Sequence, residues 1–234
     1  MQRLAARLNA QNVVWLAAVR TAIGSEDPLR GWRIAALAYL REETRHEPTV
    51  SEMKRRWARR QVDPFNVTGV EGAGTFRATT LRRSMPDAWF EDEYYRVFYA
   101  GRGIFDALWI SAPVTEDAES FFMFHRDETA GAFGEAEVAL ASLALRGLKW
   151  LHRRWMLEHG LLVASQPLSP AERRVLGELL SEAREAEIAR RLELSPATVH
   201  EYVKSVFRKF GVSSRPGLMS LWLNRPAPRT ESDA

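Results

Sequence analysis

The stretch EIARRLELSPATVHEYVKSVFRKFGV, residues 187–212, constrains the fold most sharply because two helical patterns meet there with almost nothing between them. The first carries Ile188, Ala189 and Leu192 on one face, Leu194 plugs the corner, and Ser195-Pro196 opens the second at once. Serine accepts backbone N–H groups at a helix N-cap, and proline fits the first helical position, where its missing N–H is not needed. The second pattern sets Val199, Val203, Val206 and Phe210 on one stripe and ends at Gly211, which enters the left-handed C-cap conformation without steric cost. Upstream, SPAE at Ser169 to Glu172 reads as a capping box before a helix that buries Val175, Leu176, Leu179 and Leu180. Small Ala189 lets the helices approach closely, and the tight corner leaves His200, Glu201, Lys204, Ser205 and Arg208 on an outward, mainly basic face. This is helix-turn-helix geometry.

An α-helix fits the major groove of B-DNA, where side chains near its N-terminus reach base edges while the preceding helix crosses the backbone. A polar face on a short amphipathic helix is also what an ordinary solvated bundle presents. Charge does not separate the two readings, since 33 Lys and Arg against 30 Asp and Glu leave a formal charge of +3.

At these residues the chain resembles the C-terminal DNA-binding domain of LuxR-type transcription regulators. The matching positions are Leu168, Glu172, Val175 and Leu176, then Glu187, Ile188, Ala189 and Leu192, then Ser195, Thr198, Val199, Val203, Lys209, Phe210, Gly211, Val212 and Arg215. The resemblance implies a four-helix domain that binds double-stranded DNA as a dimer on inverted half-sites, with the helix running from Ser214 often serving dimerisation. It places Ser195, Thr198, His200, Glu201, Lys204, Ser205 and Arg208 at the DNA, with His200, Glu201 and Lys204 at the base-contacting positions and Lys209 and Arg215 at phosphate. Two departures stand out: SEAR occupies the place of the family's glycine in the first turn, and His200 replaces a common lysine beside Glu201. Glutamate accepts from a cytosine amino group yet repels phosphate, so Glu201 is either a reader or a rejecting element.

The remainder of the chain divides at HGLLVASQPLSP, where Gly160 ends a helical pattern and Pro167 and Pro170 bracket the next. Residues 1–160 are expected to form an α+β domain, 161–167 a linker, 168–225 the helix-turn-helix domain and 226–234 a disordered tail. In the first region NVVWLAAVR, TFRATTLR, IFDALWISAPV and SFFMFHRD read as strands, and RGWRIAALAYLREE, VSEMKRRWARR and PDAWFEDEYYRVFY as helices. The two near-continuous apolar runs joined by TEDAE predict a hairpin at the centre of the sheet. Residues 134–159 read as one long helix with Val138, Ala141, Leu145, Leu148 and Trp155 on its apolar side. That side packs on the protein's own sheet or forms a dimer seam, and Arg146, Lys149, Arg153 and Arg154 form a solvated face or meet DNA phosphate, the packed and solvated readings being favoured.

Control by phosphorylation would need a strand leading into an acidic pair, which NVVWLAAVR does not provide. Members that sense acyl-homoserine lactones carry a Trp, a Tyr four residues later and a distant Asp-Pro, whereas Trp57 here is followed by Gln61, and Asp63-Pro64 arrives too early. The hairpin followed by AFGEAEVALASLALRGLKWLHRR instead resembles the closing elements of GAF domains, implying a GAF/PAS-like antiparallel sheet with helices. Seven of eight tryptophans precede the boundary, and Trp89, Tyr95, Tyr99 and Trp109 are the candidate wall of an apolar effector pocket, weighed against a plain aromatic core.

No cysteine is present, which removes disulfides, thiol redox chemistry and Cys-ligated zinc and suits a reducing cytoplasm. His152 and His159 share a helical face without a third ligand, while His125 and His46 are isolated, so no metal or other cofactor is expected. The EGAGT and AGRG glycines fit no phosphate-binding loop, and Ser111 lies outside a G-x-S-x-G elbow, so no catalytic constellation emerges. The apolar run VVWLAAV ends at Arg20, far short of the roughly 18 apolar residues a membrane span needs. The expected protein is a cytoplasmic, dimeric, DNA-binding transcription regulator with a sensory domain and no membrane contact. The alternative is a sensor or adaptor whose N-terminal domain docks a partner or acts as an enzyme, with DNA binding outside effector control.

Overall fold

The computed structural model describes residues 1–21, 27–40, 51, 52, 55, 56, 59, 61–162 and 168–223, and its contacts divide the chain into two units, Met1–His152 and Arg153–Ala234. Most of VSEMKRRWARR, part of the expected linker and the expected tail lie outside the described residues.

The N-terminal unit is built on a five-stranded antiparallel sheet in the order β2-β1-β5-β4-β3. A short helix α1 (Gln2–Arg7) leads into β1 (Asn12–Arg20), and β2 (Trp32–Tyr39) pairs with β1 at one edge. After α2 (Pro64–Glu71) comes β3 (Arg77–Thr80), which turns into the single helical turn α3 (Leu81–Ser84). A 3-10 turn (Asp87–Glu91) and α4 (Glu93–Phe98) precede β4 (Asp106–Thr115) and β5 (Ala118–Arg126). Every residue of β5 is buried, as expected for the strand at the sheet's centre, and the β4–β5 hairpin closes through only Glu116 and Asp117. A continuous apolar run signals this position because both faces of the strand are covered.

Alternation along the strands sorts the core onto two faces. Val14, Leu16, Ala18, Phe121 and Met123 face one layer, which joins Trp32, Tyr39 and part of α2. Trp15, Ser120 and Phe122 face the other, where His152 meets the ring of Phe122 at 5.4 Å. There Ser120 Oγ accepts from Trp15 Nε1 at 2.9 Å and lies 2.9 Å from His152 Nδ1. His152 is thereby a satisfied core histidine, and burial lowers its pKa, with the hydrogen bond to the Leu145 carbonyl opposing that shift. Two buried ions fasten loops to the sheet: Arg126 donates to the Leu8 carbonyl at 2.8 Å, and Asp106 accepts from the backbone of Arg82 and Phe133.

Three helical expectations change in the structure. Within RGWRIAALAYLREE, Trp32–Tyr39 forms the edge strand β2, because its near-unbroken apolar run fits either period and pairing with β1, from Val14↔Tyr39 to Arg20↔Trp32, decides it. Residues 134–159 form two helices, α5 (Glu135–Arg146) and α6 (Lys149–Glu158), interrupted where Gly147 breaks the helical run. PDAWFEDEYYRVFY is likewise cut by Asp92, whose carboxylate caps α4 by accepting from Tyr94 N–H at 2.6 Å. Only Arg77–Thr80 of TFRATTLR is strand.

The C-terminal unit holds α7 (Pro170–Leu179), α8 (Glu185–Leu192), α9 (Pro196–Phe210) and α10 (Arg215–Trp222). Their apolar faces close on one core that includes Val175, Leu176, Ile188, Val199, Val206 and Leu218, each with no exposed surface. The stripes expected from the spacing face this core, with Leu180, Leu192 and Leu194 half-buried at its margin. Among the described residues no helix is long and apolar enough to cross a membrane, and no cluster of three potential metal ligands occurs.

Candidate DNA interface and N-terminal cavities

The corner between α8 and α9 is made by backbone conformation. Glu193 adopts φ 56° and ψ 42°, and the following N–H of Leu194 returns to the Ala189 carbonyl at 2.9 Å. A left-handed glutamate carries strain that glycine would not, and packing of Leu194 against the core holds it there. Ser195 then caps α9, its Oγ accepting from Thr198 N–H at 3.1 Å and lying 2.8 Å from Thr198 Oγ1. Gly211 ends the helix at φ 63°.

Glu172 is the hub of the domain. Its carboxylate completes the capping box with Ser169 N–H at 2.7 Å, accepts from Ser205 Oγ at 2.8 Å and pairs with Lys209 Nζ at 2.7 Å. Burial pushes this acid up, but the hydrogen bonds from Lys209, Ser169 and Ser205 outweigh it and hold the pKa at about 2. Lys209 is therefore committed to clamping α9 onto the start of α7. Arg215 is committed too: it donates to the carbonyls of Leu179 at 2.7 Å and Ala183 at 2.8 Å, and to Ser181, closing the end of α7. Of the two positions that the sequence assigns to phosphate, both face the domain's own backbone or carboxylates.

The remaining candidates gather on the outer face of α9. His200, Glu201, Lys204 and Arg208 are exposed, and Ser205 is half-buried. Lys204 lies 3.2 Å from Glu201, and Arg208 reaches Ser205 at 3.3 Å. An exposed pair of this kind contributes at most about 1 kcal/mol, so Lys204 can leave Glu201 at small cost. Sequence reading misses Glu185, which stands at the start of α8 and lies 3.2 Å from His200 Nδ1. No spacing rule joins residues 15 positions apart; the corner brings them together.

Residues 166–222 match the sequence family described as bacterial regulatory proteins, luxR family. These residues are a luxR-family domain. The chain thus carries the DNA-binding helix-turn-helix of a transcription regulator. Among solved structures, SdiA in complex with octanoyl-rac-glycerol is 17% identical, with 94% of this chain and 83% of that chain covered and a TM-score of 0.45. The VqsR LBD domain from Pseudomonas aeruginosa is 16% identical over 67% of this chain and 83% of that one, at 0.48. Escherichia coli SdiA is 15% identical over 95% and 86%, at 0.43. No curated protein sequence matches the chain significantly.

Two cavities among the described residues of the N-terminal unit lie on the α2 side of the sheet. The larger, about 190 Å³, is walled by Leu16, Trp32, Phe65, Val70, Trp109 and Phe121, with Ser84, Ser111 and Thr79 as hydroxyls. Its two arginines are already paired, Arg77 bidentate to Glu119 at 2.8 and 2.9 Å and Arg33 to Asp27 at 2.7 Å. The smaller, about 70 Å³, holds Asp63, Tyr99, Arg102 and His125, and shares Leu16, Ile34, Asn66 and Trp109 with the first. Tyr99 O–H donates to Asp63 at 2.5 Å, yet desolvation dominates and raises the carboxyl to about 6, with that hydrogen bond opposing. His125 is buried and pushed down to about 3, chiefly by desolvation and further by Arg102.

The four expected wall residues divide. Trp109 lines both cavities and Tyr99 the smaller, whereas Trp89 and Tyr95 line neither and pack on Tyr99 at centroid distances of 5.6 and 6.0 Å. Among the described residues Trp109 Nε1 is buried without a hydrogen-bond partner. His159 bonds the Trp155 carbonyl at 2.8 Å, in keeping with a structural role.

Proposed function

We propose that this regulator is a cytoplasmic homodimer whose N-terminal unit, residues 1–160, binds a small apolar effector and thereby sets how two helix-turn-helix heads meet DNA. The observation that carries the effector reading is the apolar cavity of about 190 Å³ with the orphaned Trp109 donor in its wall. A buried N–H without an acceptor costs on the order of 1–3 kcal/mol, and a ligand oxygen would recover it. The wall's charges are neutralised by one another, so the site favours an uncharged molecule. An effector shifts the heads only as far as it binds one arrangement better than the other.

At the DNA, His200, Glu201 and Lys204 face the base edges and Arg208 a phosphate, with Ser195 and Thr198 at the helix start. Lys209 and Arg215 act from within the domain by fixing the pose of α9. The testing experiment is selection of bound duplexes from random DNA by the full-length protein at two salt concentrations, with recovery of an inverted repeat expected. Lys204→Ala then weakens binding to the selected site by about 1–3 kcal/mol and relaxes one base position. Unchanged affinity removes Lys204 from the interface. For the effector, neutral apolar compounds are titrated while tryptophan fluorescence and thermal stability are followed. A hit that stabilises the wild type and loses about fivefold or more in affinity with Trp109→Phe supports the cavity. Ligands that bind both proteins equally place the site elsewhere.

A further inference from the structure

Glu185 is the first residue of α8, three positions before buried Ile188, and His200 directly follows buried Val199 in α9. The core that closes over Ile188 and Val199 fixes both stretches of backbone, and the exposed side chains meet beside it, Glu185 Oε2 lying 3.2 Å from His200 Nδ1. The start of a helix is where its dipole favours negative charge, so a carboxylate is well placed there. An ionised carboxylate has no proton to give, and the hydrogen in this contact therefore belongs to Nδ1. In an imidazole, the hydrogen bond made by one nitrogen sets the protonation of the other. With Nδ1 spent on Glu185, Nε2 is the open atom.

The neighbours on this face are occupied with one another. Ser195 Oγ and Thr198 Oγ1 lie 2.8 Å apart, Lys204 is 3.2 Å from Glu201, and Arg208 is 3.3 Å from Ser205. Among the described residues Nε2 of His200 has no hydrogen-bond partner. Buried His152, by contrast, uses both ring nitrogens, on Ser120 and on the Leu145 carbonyl. One ring is consumed by the fold, and the other keeps half of its hydrogen-bonding capacity on an exposed surface.

We propose that Glu185 is a positioning residue for DNA reading: by holding Nδ1–H it presents Nε2 of neutral His200 to the major groove as an acceptor, which selects a base carrying an amino group. This rests on the reading given above, in which His200 faces the base edges. Adenine offers N6–H and cytosine N4–H in the major groove, whereas guanine and thymine offer acceptors there. Against guanine or thymine, Nε2 sets one lone pair against another. The lysine common at this place in the family has only protons to give. Exchanging it for histidine alone leaves the polarity open, since a free neutral imidazole carries its proton on either nitrogen. Glu185 removes that choice and turns a donor position into an acceptor position.

The test measures base preference, position by position. Full-length protein is bound at about pH 8.5, above the range in which imidazoles titrate, to the selected half-site and to variants carrying each base pair at each position. The position read by His200 is the one whose preference disappears in His200→Ala. The wild type is expected to favour adenine or cytosine there about fivefold over guanine, the worth of roughly one hydrogen bond. Glu185→Ala is expected to cut that preference to below about twofold, with preferences elsewhere and circular dichroism unchanged. Glu185→Lys is the sharpest arm, because the ammonium donates to Nδ1, moves the ring proton to Nε2 and is expected to reverse the preference to guanine. Its added charge strengthens binding to all sequences alike, so the reversal is read free of it. A merely structural role for Glu185 would change affinity for every sequence together and reverse nothing. A preference that survives Glu185→Ala, a wild-type preference for guanine or thymine, or a Glu185→Lys protein that keeps the adenine or cytosine preference overturns the proposal. The two readings fail separately. Selection of no sequence at all removes DNA reading and this proposal with it, whereas a selected half-site with no position sensitive to His200→Ala leaves DNA recognition standing and rejects only the Glu185–His200 reader.

Discussion

The two units treat a buried acid in opposite ways. In the head, Glu172 is buried among donors and held ionised at about 2, so that one carboxylate ties the start of α7 to the end of α9. In the N-terminal unit, Asp63 is buried beside a cavity with one side-chain donor, Tyr99, and one backbone donor, Phe65, and its carboxyl rises to about 6. The head is a domain whose polar hub is fully used to present a surface. The sheet domain keeps space and unmet polarity in its interior, which is what a receptor for small molecules requires.

The largest test of this contrast is pH. Glu172 sits below its ordinary 4.5, so its stabilisation is complete above that value and disappears as pH falls towards 2. Asp63 sits above its ordinary 3.8, so its contribution is complete below that value and disappears as pH rises through 6. Each displacement is worth about 2–3 kcal/mol. Acid titration of unfolding, read by circular dichroism, is expected to lose that dependence below pH 4.5 in Glu172→Gln. Asp63→Asn is expected to stabilise the N-terminal unit at pH 8 and leave it unchanged near pH 4, read by tryptophan fluorescence. Parallel pH responses in the two variants would break the contrast.

A second test applies one substitution to both regions. Ala189→Leu forces a larger group into the packed corner of α8 and should destabilise the head by about 1–3 kcal/mol. Ala73→Leu projects into the 190 Å³ cavity and should leave stability unchanged or slightly raised while abolishing effector binding. Thermal unfolding with and without ligand separates the two outcomes, and equal destabilisation would mean the cavity wall is as tightly packed as the head. The smallest effect concerns the corner itself. Glu193→Gly relieves the left-handed strain and should raise head stability by about 0.5–1 kcal/mol in denaturant unfolding, whereas a loss would assign Glu193 an interaction that outweighs its strain.

The head was legible because its signals are local. Ser169 and Ser195 cap their helices, Val199, Val203, Val206 and Phe210 are buried and Gly211 is left-handed, each within one helical turn of the residues that announce it. The central strands were legible for a similar reason, since β5 carries the unbroken apolar run Phe121–Phe124 and is buried along its length. β2 was not, because its fate depends on β1 across a loop, and α5 and α6 read as one helix because a single Gly147 is a weak local stop. Among site residues, His200, Lys204 and Arg208 stand outward as the stripe requires, but nothing in their neighbourhood marks Lys209 and Arg215 as inward staples.

The sequence by itself determined the helix starts and stops, the apolar faces and hence the presence of a helix-turn-helix head, because capping and periodicity act within a few residues. Tertiary structure alone decided which strands neighbour one another, where the cavities open, and which charges are spent internally. β1 lies beside β5 more than ninety residues away, Trp109 reaches both cavities from the middle of β4, and Glu172 meets Lys209 across the domain. Such contacts are set by how whole faces pack after distant segments meet, and no local pattern encodes their partners.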